Sequence, residues 1–87
     1  MNITDVRVRR VESDGKIRGV ASITIDDEFV VHDIKVVQGE TGLFIAMPSR
    51  KNADGQFRDI AHPIRPETRL FLQELILRKF GETPEET

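Results

Sequence analysis

Five cations in the second half of the chain are the residues best placed to do chemistry, and that chemistry is the binding of phosphate. Arg50 and Lys51 follow directly on Pro48, Arg58 lies across the same predicted hairpin, and Arg65 and Arg69 flank a predicted helix start. A hairpin loop and the helix start after it can converge at one end of a sheet. Flexible cations displayed there are what phosphate contacts require. Taken alone, a solvated loop and helix end is the more ordinary reading. Arg7, Arg9 and Arg18 fall on the outward face of the first predicted hairpin, where arginine commonly solubilises a sheet or shields its edge. No aromatic residue is expected to interleave with the bases at the surface, and the chain has no Tyr or Trp. That argues against a stacking platform for single strands.

The two histidines offer little catalysis. His32 shares a predicted strand face with Val30 and Ile34, so it reads as a hydrogen-bonded core or interface residue rather than a metal ligand. His62 precedes Pro63, which biases it to extended backbone at a strand end. His32, Asp33 and Asp59 would make a catalytic group only if they shared a face. Strict alternation sends His32 and Asp33 to opposite sides of one strand. No glycine-rich phosphate loop, Ser/His/Asp order or supported carboxylate pair is present. The expectation is a protein that is not an enzyme and needs no cofactor or metal.

With 87 residues the chain fits one small domain, and with no cysteine its fold depends on packing alone. A domain of this size buries only about 60–65% of its unfolded surface, so a lone monomer is marginal and dimerisation is one remedy. No cationic start precedes an apolar run, and no 18 apolar residues occur in succession, so a soluble, cytoplasmic protein without membrane insertion is expected. The net charge is −2, but Glu82, Glu85 and Glu86 stand after Gly81 with no base among them. Without those three, 13 basic residues face 12 acidic ones. That balance is not the strongly basic footprint usual for nucleic-acid binders.

The elements that must position the cations are mostly strands. Val6 and Val8 alternate with Arg7 and Arg9 over residues 3–11, the period of a half-buried strand. Glu12 to Lys16 is a turn, with Asp14-Gly15 suited to a tight hairpin. Ile17, Gly19, Ala21, Ile23 and Ile25 then share one face of a second strand, and the small Gly19 and Ala21 leave room for something bulky, most simply a helix. Asp26-Asp27-Glu28 turns the chain into a third strand, 29–37, apolar on both faces: Val30, Ile34 and Val36 with His32, against Phe29, Val31 and Val37 with Asp33 and Lys35. Such a strand is central or lies at an interface. A fourth strand spans 43–47 and stops at Pro48, which cannot donate to a ladder. Residues 49–56 read as a polar loop with Asp54-Gly55 at its tip, and 57–61 as a short fifth strand.

Pro66 suits the first position of a helix running to about Phe80, with Gly81 as its stop. Phe71, Leu72, Leu75, Ile76 and Phe80 form one broad face for the sheet. Leu70 and Leu77 lie outside it as a second apolar seam, read either as a wide core face or as a partner surface. The fold class is therefore α+β, a small antiparallel meander of about five strands with one C-terminal helix packed on it. The domain spans residues 1–81, and 82–87 form an acidic, disordered tail.

Four stretches carry a family resemblance: Thr4-Asp5-Val6-Arg7-Val8-Arg9-Arg10-Val11, Phe29-Val30-Val31-His32-Asp33-Ile34-Lys35-Val36-Val37, Gly42-Leu43-Phe44-Ile45-Ala46-Met47-Pro48-Ser49-Arg50-Lys51, and Phe57-Arg58-Asp59-Ile60-Ala61-His62-Pro63-Ile64. With matched spacing over roughly residues 3 to 80, the chain resembles the SpoVG family, stage V sporulation protein G. The resemblance implies small dimeric proteins, an antiparallel sheet with a C-terminal helix, paired across strands. It also implies roles in sporulation and negative control of division septum formation, and regulation by site-specific DNA and RNA binding that involves the C-terminal helix region. The matching positions are Arg50 and Lys51 after Met47-Pro48-Ser49, and Arg69 after Thr68. Many members carry small polar residues where this chain has Arg65-Pro66-Glu67. Here Pro66 removes an N–H and Glu67 repels phosphate at the helix start.

Two functions follow as expectations. One is a cytoplasmic homodimeric regulator that binds DNA or RNA through Arg50, Lys51, Arg58, Arg65 and Arg69, with Val31, Ile34, Leu70 and Leu77 as the dimer seam. The other is a protein-interaction factor in septation control, working through Leu70, Leu77 and the acidic tail without touching nucleic acid.

Overall fold

The computed structural model describes residues 1–12 and 15–83. Among the described residues six strands precede one helix: β1 (Ile3–Arg10), β2 (Ile17–Ile25), β3 (Phe29–Gln38), β4 (Leu43–Ala46), β5 (Ser49–Lys51), β6 (Phe57–Asp59) and α1 (Pro66–Glu82). β1 to β4 form one antiparallel meander in sequence order, and the helix packs against it, the α+β arrangement that the sequence predicts. The predicted turn at Ser13-Asp14 and the tail residues 84–87 lie outside the described residues.

The fifth strand differs from the expectation. Residues 57–59 do not extend the main sheet; they pair with Ser49–Lys51, which the sequence reads as loop, in a separate two-stranded hairpin. Pro48 is the reason. It cannot donate to the β3–β4 ladder, so the chain leaves the sheet there and starts a ribbon of its own. The Ile60 N–H donates to the Pro48 carbonyl at 2.7 Å and closes the base of that ribbon.

The core lies between one sheet face and the helix. Ala21, Ile23, Ile34, Val36, Ile45 and Met47 meet Leu72, Ile76 and Phe80 there, all buried. The close approach of Phe80 depends on Gly19. A Cβ on Gly19 would sit 3.1 Å from the Phe80 ring and 3.1 Å from the Arg9 carbonyl oxygen. The small residues of β2 thus receive the helix end, as their spacing predicts.

A bulge breaks the alternation of β3. Ala21 pairs with Ile34 and Ile23 with Val31, so His32 and Asp33 together oppose Ser22. Asp33 takes φ +64 to fit the extra residue, the left-handed region that aspartate tolerates better than most. The extra residue changes parity. Val31 packs against the same core as Ile34 and Val36, not on the opposite face as strict alternation implies. Val30 and His32 are exposed, so His32 is not a core residue.

The helix departs from expectation at both sides and at its end. Its buried row is Leu72, Ile76, Phe80, which brings the next row, Gln73 and Leu77, toward β4 and leaves Phe71 exposed. Leu77 packs partly buried against the core instead of standing with Leu70 in a separate seam. The helix also runs through Gly81 to Glu82, taking Glu82 out of the predicted tail. Thr83 caps the end, its N–H donating to the Phe80 carbonyl at 3.1 Å, and Arg10 reinforces the cap. Its Nε donates to the Thr83 carbonyl at 2.6 Å and its Nη2 to the Phe80 carbonyl at 3.1 Å. The guanidinium lies 4.0 Å from the Phe80 ring centroid. A cation on the last carbonyls satisfies orphan acceptors and complements the helix dipole.

Candidate nucleic-acid interface

The β5–β6 hairpin gathers three of the five predicted cations. Arg50 stands directly opposite Arg58, and Lys51 opposite Phe57. Directly opposed residues share a face of an antiparallel ribbon, so the two arginines project together on one side. Lys51 and Phe57 occupy the other. Every residue of both strands is exposed. The tip closes on itself: the Asn52 N–H donates to the Gln56 carbonyl at 2.7 Å, and the Gly55 N–H to the Asn52 carbonyl at 3.0 Å. Gly55 sits at φ +86.

Like charges directly across a ladder are destabilising, and here nothing internal offsets them. Among the described residues neither Arg50 nor Arg58 bonds a carboxylate; the ion pair found there joins Arg7 Nε to Asp5 Oδ2 at 2.9 Å on β1. Residues 49–69 carry five Lys and Arg against three Asp and Glu, although the whole chain is net acidic. The hairpin itself carries Arg50, Lys51 and Arg58 against Asp54 and Asp59, a small local positive excess.

The other two cations sit elsewhere. Arg65 is the exposed N-cap residue of α1, with extended backbone and no side-chain capping bond. It stands at the wall of an apolar cavity of about 580 Å³ between sheet and helix start, with Ile23, Val31, Met47, His62 and Leu72. Arg69 is turned onto the sheet, its Nη2 donating to the Ile45 carbonyl at 3.0 Å. One of its donors therefore holds β4, while the residue as a whole is exposed.

The four residues expected at the dimer seam are spread between core and surface. Ile34 is 0% exposed, inside the core of a single chain, while Val31 and Leu77 are packed half-buried against that core. Only Leu70, 59% exposed, offers surface. The bulge explains Val31.

Sequence reasoning also missed two features. His32 and Asp33 line the same shallow depression of the outer sheet face, with Arg7, Arg9 and Ser22, because a bulge places both residues opposite one. No hydrogen bond joins Ser22, His32 and Asp33 among the described residues, so no relay forms. The second is Phe57, an aromatic residue that is 70% exposed among the bases. Its exposure follows from the hairpin standing apart from the main sheet.

The fold and these placements can be set beside known proteins. The SpoVG family profile matches residues 1–82. The chain belongs to the SpoVG family. Relatives named "Putative septation protein SpoVG" include one from Lachnospira eligens, 68% identical over 80 residues, covering 92% of this chain and 91% of its own. Another, from Acetivibrio thermocellus, is 62% identical over 80 residues, covering 92% and 85%. "Putative septation protein SpoVG 2" of Listeria monocytogenes is 58% identical over 86 residues, covering 99% of this chain and 84% of its own. These SpoVG names are those of a septation protein rather than an enzyme. Among the described residues, no helix is long and apolar enough to cross a membrane.

Proposed function

We propose that this SpoVG-family protein is a cytoplasmic, homodimeric regulator that binds DNA or RNA through the β5–β6 hairpin, with links to sporulation and negative control of septum formation. The observation that carries the reading is the cross-strand pair of Arg50 and Arg58, which face each other without a bonded carboxylate among the described residues. A polyanion supplies the missing counter-charge at both residues at once. Lys51 adds a third cation on the same ribbon, and Arg65 a fourth at the helix start. Two copies related by a two-fold axis present two such ribbons.

The test is fluorescence anisotropy of labelled duplex DNA and single-stranded RNA at about 50 and 200 mM salt. The expected result is binding that weakens steeply with salt and is lost in Arg50→Glu with Arg58→Glu, while folding is kept. Binding unchanged by the charge reversals would overturn the hairpin as the interface.

The exposed Leu70 and Phe71 on α1 favour a second reading, a protein-interaction factor in septation control. In that case Leu70→Asp abolishes partner capture and leaves any nucleic-acid affinity intact.

A further inference from the structure

Phe57 is an aromatic ring that the fold of one chain does not use. It is 70% exposed, and neither strand of its hairpin has a buried residue. Its cross-strand partner is Lys51, whose ammonium lies over the ring, 6.0 Å from the centroid. A phenylalanine left this open in water forgoes most of the burial that ordinarily fixes such a residue in place. A partner that covers the ring gains that burial, and the surroundings of the ring select which partner fits.

The other residues of the two strands are Ser49, Arg50, Lys51, Arg58 and Asp59. Ser, Lys and Asp are depleted at the centres of protein interfaces, where Phe and Arg are enriched, so it is the Lys51 ammonium over the ring that turns the choice toward an anionic partner. A cation beside an exposed aromatic is the pair that single-stranded nucleic acid uses: a base stacks on the ring while a neighbouring phosphate meets the charge. The two faces of the ribbon add a second selection. Lys51 and Phe57 lie on one side, Arg50 and Arg58 on the other. A flexible single strand can lay a base on the first side and carry its phosphates round to the second. A duplex is rigid, and its bases are already stacked on one another.

We propose that Phe57 is a base-stacking residue and that the β5–β6 hairpin takes single-stranded nucleic acid in preference to duplex. The inference rests on the nucleic-acid reading above and names the substrate class of that site.

The experiment uses the full chain with a single-stranded RNA of about 12 nucleotides carrying an internal 2-aminopurine, and a duplex DNA of equal length. Wild type, Phe57→Leu, Phe57→Tyr and the Arg50→Glu, Arg58→Glu double variant are compared by anisotropy, by 2-aminopurine fluorescence and by sedimentation. The wild type should bind the single strand more tightly than the duplex and quench the fluorophore. Phe57→Leu should lose about tenfold in single-strand affinity together with the quenching, leaving duplex binding and the salt slope unchanged. Phe57→Tyr, which keeps the ring and guards against a folding artefact, should retain both. The charge reversals should weaken both ligands.

Equal affinity for duplex and single strand, or full affinity and quenching in Phe57→Leu, overturns the stacking role while leaving the hairpin a nucleic-acid site. No binding of either ligand by the wild type removes the broader reading as well. A change in sedimenting mass in Phe57→Leu overturns the proposal in favour of a second protein copy as the cover of the ring.

Discussion

Arg69 donates from Nη2 to the Ile45 carbonyl at 3.0 Å, and Gln73, one helical turn on, accepts the Ile45 N–H at 3.2 Å. Ile45 belongs to β4, the outer strand of the four-stranded sheet. Its unpaired backbone groups would otherwise be a template for another chain. Two side chains at i and i+4 on α1 close that edge at one residue and lock the helix start to the sheet. Arg69→Ala with Gln73→Leu should destabilise the fold by about 1–3 kcal/mol and lower Tm by roughly 4–8 °C per kcal/mol. Thermal melting followed by circular dichroism checks it, with light scattering to detect association through the opened edge. An Arg69→Ala variant that kept its stability but lost nucleic-acid affinity would return Arg69 to the binding surface.

Gly19 sets how closely the end of α1 can approach. A methyl group there meets the Phe80 ring and the Arg9 carbonyl oxygen at 3.1 Å each. The ring can give way; the backbone carbonyl of the paired strand cannot do so without disturbing the ladder. Gly19→Ala should therefore destabilise by about 1–3 kcal/mol despite lowering chain entropy in the unfolded state. In a double-mutant cycle, Phe80→Leu should remove part of that penalty, because one of the two clashes is with the ring. Urea unfolding of the four variants gives the coupling directly. Additive effects would mean that the carbonyl alone sets the limit.

Arg10 does for the helix end what Gly81 does not. Its guanidinium binds the carbonyls of Phe80 and Thr83 and stacks on the Phe80 ring. Arg10→Met keeps an apolar stem and removes the donors and the charge. The expected loss is about 1–2 kcal/mol, from the Thr83 carbonyl left without its donor and a weakened dipole interaction, since the Thr83 N–H still serves the Phe80 carbonyl. Hydrogen exchange should accelerate selectively at the amides of the last helical turn. Uniform acceleration across the sheet would mean that Arg10 supports the core rather than the cap.

The bulge in β3 shows where the sequence could be read and where it could not. Period-two alternation was legible in β1 and β2, except at Ile17, which is exposed beyond a register shift before Gly19, and it carried the fold class and the helix-receiving face of Gly19 and Ala21. In β3 the same rule failed at one point. No alternation pattern announces an extra residue, and Asp33 is only a modest cue for positive φ. That single insertion exchanged the faces of Val31 and His32, so that Val31 joins Ile34 at the core. The cations of the hairpin were legible because Pro48 marked the break in the sheet. Phe57 was not, because its exposure depends on the hairpin standing apart from the sheet, a tertiary fact. The bulge itself is testable. Asp33→Val should destabilise by about 1–2 kcal/mol, since a β-branched residue resists φ +64, while Asp33→Asn should be near neutral. Thermal melts of the two variants separate backbone strain from loss of charge.

Arg50 and Arg58 make a prediction in which stability and binding move in opposite directions. Directly opposed like charges weaken a strand pair, so Arg58→Thr should stabilise the hairpin by about 0.2–1 kcal/mol, helped by the higher strand propensity of threonine. The same change removes a phosphate contact. It should therefore lower nucleic-acid affinity and reduce the slope of log K against log salt by about one. A structural arginine would lose stability on replacement, and a merely solubilising one would change neither quantity. Only a side chain held against its own repulsion for the sake of an anion gives a rise in one and a fall in the other, the trade expected where function opposes the fold. Hydrogen exchange at the hairpin amides and anisotropy at two salt concentrations measure the two signs. Arg58→Thr with unchanged affinity would leave the arginine pair without a ligand and remove the observation on which the proposed function stands.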